Sequence, residues 1–300
     1  MDWKKLALCM ALAGGTVACG GGEGTEDPVT RRYVLSAVQI PAATGTTAAG
    51  FNLDDEISTG DDDSSCVGLT PDFSSANDPG EEGIDNQLGT LVPMIGTLLA
   101  DSCPEGTAAA DCVSALLAEQ VREGSLLLVM EVRDINSFAN DDDIEMQLYL
   151  GTVPGCDDTM PDTCAPELMG DTLAPGQEFD VMAVGTPVSG SITAGRMTAV
   201  TSALNIAIDT GDAQLELVLH DAEVRANITD TSLSNGAIGG SIEIAELATA
   251  AEAFMEGAGA LIESVVGAVA DLDPDPAMPL DCRAISAGIA FTAVDAAEPE

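Results

Sequence analysis

Beyond its fifth residue this 300-residue chain contains no lysine, and beyond its third no tryptophan. Without lysine there is no P-loop amine, no Schiff base and no Ser-Lys dyad, and kinase-type phosphate handling goes with them. Histidine occurs once, at position 220. His220 falls in an alternating run, opposite a leucine face and beside Asp221, which reads as a sheet-surface histidine rather than a general base. No G-x-S-x-G and no C-x-x-C is present. The nucleophile elbow is thereby removed, and zinc, left with one histidine and no C-x-x-C, is only the competing reading of the cysteines. Aromatics are scarce, six Phe and two Tyr besides Trp3, so there is little material for sugar-stacking platforms. Basic residues are scarcest of all against their opposites: nine Lys and Arg face 51 Asp and Glu, a net charge of −42. Such a field repels phosphates, which excludes nucleic acid and disfavours anionic headgroups. It suits solubility, attraction of cations, or life in high salt, where screening over a few ångströms removes self-repulsion.

What is present is apolar and periodic. Hydrophobic residues make up 46% of the chain, and their regular spacing separates it from disordered acidic segments. At the amino terminus Lys4 and Lys5 precede an uncharged run from Leu6 to Ala18. That is the length of a secretory signal core and falls short of the ~20 residues needed to span a bilayer. Residues 1–18 are therefore expected to be a signal peptide. The following "GGGEGTEDPVT" has no apolar period, so residues 19–30 read as a flexible stalk with a reach of about 35 Å when extended. Residues 31–300 are expected to form a single domain, since no linker divides them.

Thr16-Val17-Ala18-Cys19 resembles a bacterial lipoprotein box, in which the cysteine is acylated and becomes the new amino terminus; such boxes usually carry Leu where Thr16 stands. The resemblance implies a lipid anchor on Cys19, and Gly20 after it implies sorting to the outer membrane. The alternative is ordinary signal cleavage with Cys19 left as a thiol. More than one acyl chain makes anchoring durable, at about 0.8 kcal/mol per buried methylene.

Six further cysteines remain once Cys9 and Cys19 are set aside, an even number, which in an exported chain argues for disulfides. Cys103 with Cys112 and Cys156 with Cys164 each bound a short polar loop. By subtraction Cys66 pairs with Cys282, joining the front of the domain to its end.

Along the chain, "RRYVLSAVQIP" predicts a strand stopped by Pro41. Residues 42–82 are rich in Gly, Asp, Ser and Thr, long for a loop in a compact domain. Ile84, Leu88, Leu91, Ile95 and Leu98 stand at helical spacing, with Asp85 or Asn86 near the start and Pro93 expected to kink or divide the helix. A second helix, "CVSALLAEQVRE", leads into the strand "SLLLVMEVRDI". Alternating runs then follow to residue 228, including two arms around "DTGD" that predict a hairpin. In its second arm the apolar parity changes at His220 and Asp221, which predicts a bulge. Two Ala-rich helices, broken near Gly257 and Gly259, precede a closing strand. Hairpin-like strand order with interspersed helices predicts an α+β fold, mainly an antiparallel β-sandwich or curved sheet with flanking helices.

Hard cations take six to eight oxygen ligands, and three acidic stretches supply carboxylates and amides: "NLDDEISTGDDDSS", "DPGEEGIDN" and "NDDDIE". Asn52, Asp54, Asp61, Asp63, Asp78 and Asp85 are the candidate calcium ligands. None of the stretches completes the EF-hand pattern, and at this acid content solvated charge runs are the plain alternative. Paired carboxylates also allow glycoside hydrolysis, with one acid kept protonated by burial.

At "GFNLDDEIS", "GIDNQLG", "LAPGQEFDV" and "SLSNGAIGGSI" the chain resembles acidic secreted proteins and lipoproteins of myxobacterial type, over most of residues 33–295. The resemblance implies an envelope location and brings no catalytic residues. The leading expectation is a lipid-anchored envelope protein with a non-enzymatic binding or structural role, ordered by calcium. Its partners are the membrane through the lipid and an unspecified protein or glycan. A glycosidase-like carboxylate hydrolase and a salt-adapted surface protein without metal are the alternatives.

Overall fold

A computed structural model describes residues 27–61, 64–78, 80–156, 164–209, 214–254 and 257–297. The expected signal peptide, Cys19, most of the stalk, Asp63 and the centre of the "DTGD" turn lie outside the described residues.

The chain enters with β1 (Val29–Gln39), two residues ahead of the expected domain start at 31, and leaves it just ahead of Pro41. An excursion follows with β2 (Thr47–Ala48), β3 (Phe73–Ser75) and β4 (Glu82–Ile84), which form a small three-stranded sheet where a loop was expected. Helices α1 (Gln87–Leu98) and α2 (Ala109–Glu123) return it to β5 (Leu128–Ile135) and β6 (Asn140–Thr152). The short hairpin β7 (Leu168–Met169) and β8 (Thr172–Leu173) precedes four long strands: β9 (Asp180–Thr193), β10 (Arg196–Asp209), β11 (Gln214–Ile228) and β12 (Ser232–Glu243). Helices α3 (Ile244–Phe254) and α4 (Ala258–Val266), then β13 (Leu272–Asp275) and β14 (Met278–Ala296), complete it.

Eight strands pair in chain order, β1-β5-β6-β9-β10-β11-β12-β14, every pair antiparallel, and β14 returns to β1 through Tyr33↔Asp295 and Leu35↔Ala293. The expected sandwich is therefore a barrel. Alternation along a strand is the same in both architectures; the accumulated twist that lets the last strand meet the first is a property of the whole sheet. β13 adds a ninth strand outside β14.

Register defines the inner face. Tyr33, Met130 and Leu148 stand side by side, as do Val224, Ile238 and Ile289, and all six are buried. From within, Tyr33 sends its hydroxyl to the Thr229 carbonyl at 2.7 Å. The predicted bulge is present, against β12: the pairing passes from His220↔Ser241 to Glu223↔Gly239, three steps on β11 for two on β12, with Asp221 at φ 47° inside it. Leu219 on one side of it and Ala222, Val224, Ala226 and Ile228 on the other are consequently all buried.

The outward face is polar or covered. α1 packs on β14, α2 on β1, and α3 on β11, β12 and β14. α1 is not divided at Pro93. Pro93 lacks the N–H that would bond the Gly89 carbonyl, and that oxygen instead accepts from the Ala43 amide at 3.0 Å, so the excursion replaces the missing bond and the helix runs through. Asn86 caps the helix, its side-chain oxygen accepting from Gly89 N–H at 2.8 Å. All three expected disulfides are present, Cys66–Cys282, Cys103–Cys112 and Cys156–Cys164.

Candidate functional site

The excursion between β1 and α1 lies on the outer face of β11, β12 and β14 and is held there by several contacts. The Arg225 guanidinium of β11 sits over the Phe51 ring, 4.5 Å from its centroid, and pairs with Glu81 at 2.9 Å and Glu223 at 2.5 Å. Phe51 itself lies on Gly239, where any β-carbon would come within 2.5 Å of the ring. Gly288 of β14 is approached as closely: a β-carbon there would stand 2.1 Å from the Ala49 carbonyl oxygen. Cys66–Cys282 closes the far end.

Under the excursion is a cluster of carboxyl groups. Asp85 directly follows β4; its amide donates to the Phe51 carbonyl and its carboxyl Oδ2 accepts from Leu53 N–H at 2.7 Å. Asp72, whose Oδ2 accepts from Ser58 N–H at 2.5 Å, is close enough for the two carboxyl groups to act on each other. Asp54 is close enough for its charge to act on both. On the barrel side, Asp271 accepts from Ser286 through both oxygens, the amide at 2.8 Å and the hydroxyl at 2.5 Å, while Ser286 Oγ takes the Gln87 amide at 2.8 Å. That relay ties the first residue of α1 to β14 and to the segment entering β13.

Asp85 and Asp271 are each only 3% exposed. Burial pushes the Asp85 carboxyl up to about 8 against the Leu53 hydrogen bond, with the charges of Asp54, Asp72 and Asp271 adding to it. Burial likewise raises Asp271 to about 7; its bonds from Ser286 oppose the shift and Asp54 adds to it. Asp72 is raised too, mainly by burial. Asp85 and Asp271 therefore hold protons near neutrality. The cluster faces the interior of the contact between excursion and barrel, where its oxygens accept from backbone amides and the Ser286 hydroxyl, so it acts as an internal hydrogen-bonding set rather than as a cleft.

Of the six expected calcium ligands, Asp54 and Asp85 are brought together here, and Asn52 lies just before them. The Asn52 amide donates to the Glu56 carbonyl at 2.8 Å and its Oδ1 is buried without a partner. Asp61 is exposed in the loop, and Asp78 is held away by an ion pair with Arg196. Among the described residues no group of three or more His, Cys, Asp or Glu side chains is arranged to hold a metal ion. His220 meets Glu246 of α3 at 2.9 Å on the outer face, the surface role its position implied.

A second polar network occupies the outward side of β1, β5 and β6. Glu131 pairs with Arg32 and with Arg133 at 2.5 Å, Arg133 also pairs with Glu145 at 2.7 Å, and the Tyr149 hydroxyl contacts Glu131 at 3.1 Å. Burial pushes Glu131 up, but the bonds and charges of the two arginines outweigh it and hold the carboxyl below its usual range.

Sequence reasoning missed Asp72, Asp271 and Ser286, which carry no motif and meet only through the fold. Arg32, Glu131 and Arg133 did leave a signal, charged residues at alternate positions in otherwise apolar strands. Comparison of the chain with protein families, curated proteins and solved structures finds no match.

Proposed function

We propose that this chain is a lipid-anchored protein of the bacterial cell envelope, sorted to the outer membrane, with a binding or structural role and no catalysis. The observation that carries the reading is the set of three disulfides, which engages all six cysteines after Cys19. Disulfides persist in oxidising compartments outside the cytosol. The lipoprotein-like box at Thr16–Cys19 supplies the means of attachment in this proposal. Membrane contact is assigned to the lipid because the polarity of the barrel suits water: its inner face is apolar, and its outer face carries Arg32, Glu131, Arg133, Glu223 and Arg225, the reverse of a membrane-inserted barrel. The non-enzymatic part rests on burial, since the carboxyl groups with raised affinity for protons lie under the excursion, where a glycosidase acid would need to reach a substrate. Calcium belongs to the proposal as an alternative to protons for relieving the repulsion among Asp54, Asp72 and Asp85.

Metabolic labelling with palmitate tests the anchor. The parent chain is expected to carry label and to fractionate with membranes, whereas Cys19→Ser is expected to lose the label and become soluble. An unlabelled parent, or a Cys19→Ser variant still held by membranes, overturns the reading.

A further inference from the structure

β9 and β10 pair only beside their shared turn, Arg196–Ala199 against Gly190–Thr193. From there β9 follows β6 as far as Asp180, while β10 follows β11 as far as Asp209. The barrel wall opens between them. Among the described residues no strand pairs with the outer edge of β10 from Val200 to Asp209. β11 in turn meets β12 only from His220 onward, so the hairpin beyond that point is a two-stranded ribbon, an arrangement only marginally stable alone in water.

Unpaired edges template pairing with other chains, and proteins usually blunt them with charge, proline or bulges. The facing edge of β9 is blunted in this way. It kinks at Gly185, φ 68°, next to Pro187, where its register to β6 slips between Val184 and Val188. β13, the other strand at a sheet edge, carries Asp273, Pro274 and Asp275. β10 has none of these devices: from Met197 to Ile208 it contains no charge, no proline and no glycine. Val200 is 60% exposed, and Ser202 and Ala203 are exposed beside it.

We propose that a second copy of this chain docks on that edge, the two β10 strands pairing antiparallel about a two-fold axis. Charge selects this occupant. A cationic partner is drawn to carboxylate-rich surface, of which a chain of net charge −42 has a great deal. Two copies of so acidic a chain approach most readily where neither brings carboxylates, and the β10 edge brings none between Met197 and Ile208. Identical edges are self-complementary in the antiparallel sense, which closes the pair and leaves no further edge to propagate. The product is a four-stranded sheet, β11-β10-β10-β11, in which both ribbons gain the third and fourth strands they lack.

Sedimentation velocity on the full-length exported chain carrying Cys19→Ser tests this across roughly 1–100 µM protein. A concentration-dependent dimer is expected, tighter in 1 M than in 0.1 M sodium chloride because salt screens the remaining repulsion. Val200→Glu with Ala203→Glu sets carboxylates across the two-fold and is expected to weaken the dimer at least tenfold, while Leu280→Glu on the exposed start of β14 leaves it unchanged. Should the double variant fold poorly by circular dichroism, Ser202→Cys provides an independent readout, an intermolecular disulfide dimer under oxidation. A chain monomeric throughout, or a dimer indifferent to the β10 changes and unable to cross-link at position 202, overturns the proposal.

Discussion

Replacing Asp85 by asparagine should make the protein more stable at neutral pH. In the unfolded chain this carboxyl titrates at its ordinary 3.8, and in the fold at about 8. Across that window the folded state keeps a proton that the unfolded state has released, so stability is greatest below 3.8 and declines until the pH passes about 8. Each pH unit inside the window costs about 1.4 kcal/mol for a fully shifted group. Between pH 5 and pH 7 the loss from Asp85 is thus on the order of 2 kcal/mol, and Asp271, with its window from 3.8 to about 7, loses a similar amount. Asparagine reproduces the neutral carboxyl: its carbonyl oxygen can accept from Leu53 N–H and its amide can donate to Asp72. Urea unfolding of parent and Asp85→Asn at pH 5, 6 and 7 in EDTA should show the variant gaining roughly 2 kcal/mol on the parent over that range, or about 4–8 °C in Tm. Curves that stay parallel would refute the argument that a buried proton holds the excursion in place. Repeating the series in calcium adds a second reading. An ion held by Asp54, Asp72 and Asp85 should stabilise the parent at pH 7 more than the variant, and no calcium-dependent gain in the parent would remove the metal from the proposal.

Gly288→Ala should lift the excursion, since its methyl group meets the Ala49 backbone carbonyl at 2.1 Å and the Asn86 amide at 2.7 Å. A loss of about 1–3 kcal/mol is expected, with faster proteolytic cleavage within residues 40–86 by mass spectrometry; unchanged cleavage there would contradict the packing. Removing the long disulfide by Cys66→Ser with Cys282→Ser opens a sequence separation of 216 residues, against nine for Cys103 and Cys112. Chain entropy predicts a loss of about 5 kcal/mol for the first pair and roughly half that for the second, and equal losses in urea unfolding would show that loop length does not govern them.

Much of the architecture was legible because it rests on local spacing. The alternation of Leu219, Ala222, Val224, Ala226 and Ile228 announced both a strand and the bulge at Asp221 that the pairing with β12 contains, since a parity change must be absorbed by an extra residue if both sets are to be buried. The cysteine pairs followed from count and proximity, and a helix start at Asp85 or Asn86 followed from capping chemistry, the structure choosing Asn86. The continuous helix through Pro93 was not legible, because the group that compensates for proline is the amide of Ala43, fifty residues earlier. The small sheet β2-β3-β4 escaped for a related reason: strands of two and three residues are too short to display a period.

The sequence by itself determined the chemistry open to this protein. The absence of lysine past residue 5, the single histidine, the excess of acid and the even set of cysteines are properties of composition, and no fold can alter them. Only the tertiary structure decided that the strands close into a barrel, that the half-buried Asp72 meets the buried Asp85 and Asp271, and that β10 keeps an open edge among the described residues. Each of these depends on residues or strand edges far apart in the chain being brought together or left apart. Burial, proton affinity and pairing all depend on distance in space, which one-dimensional spacing does not encode.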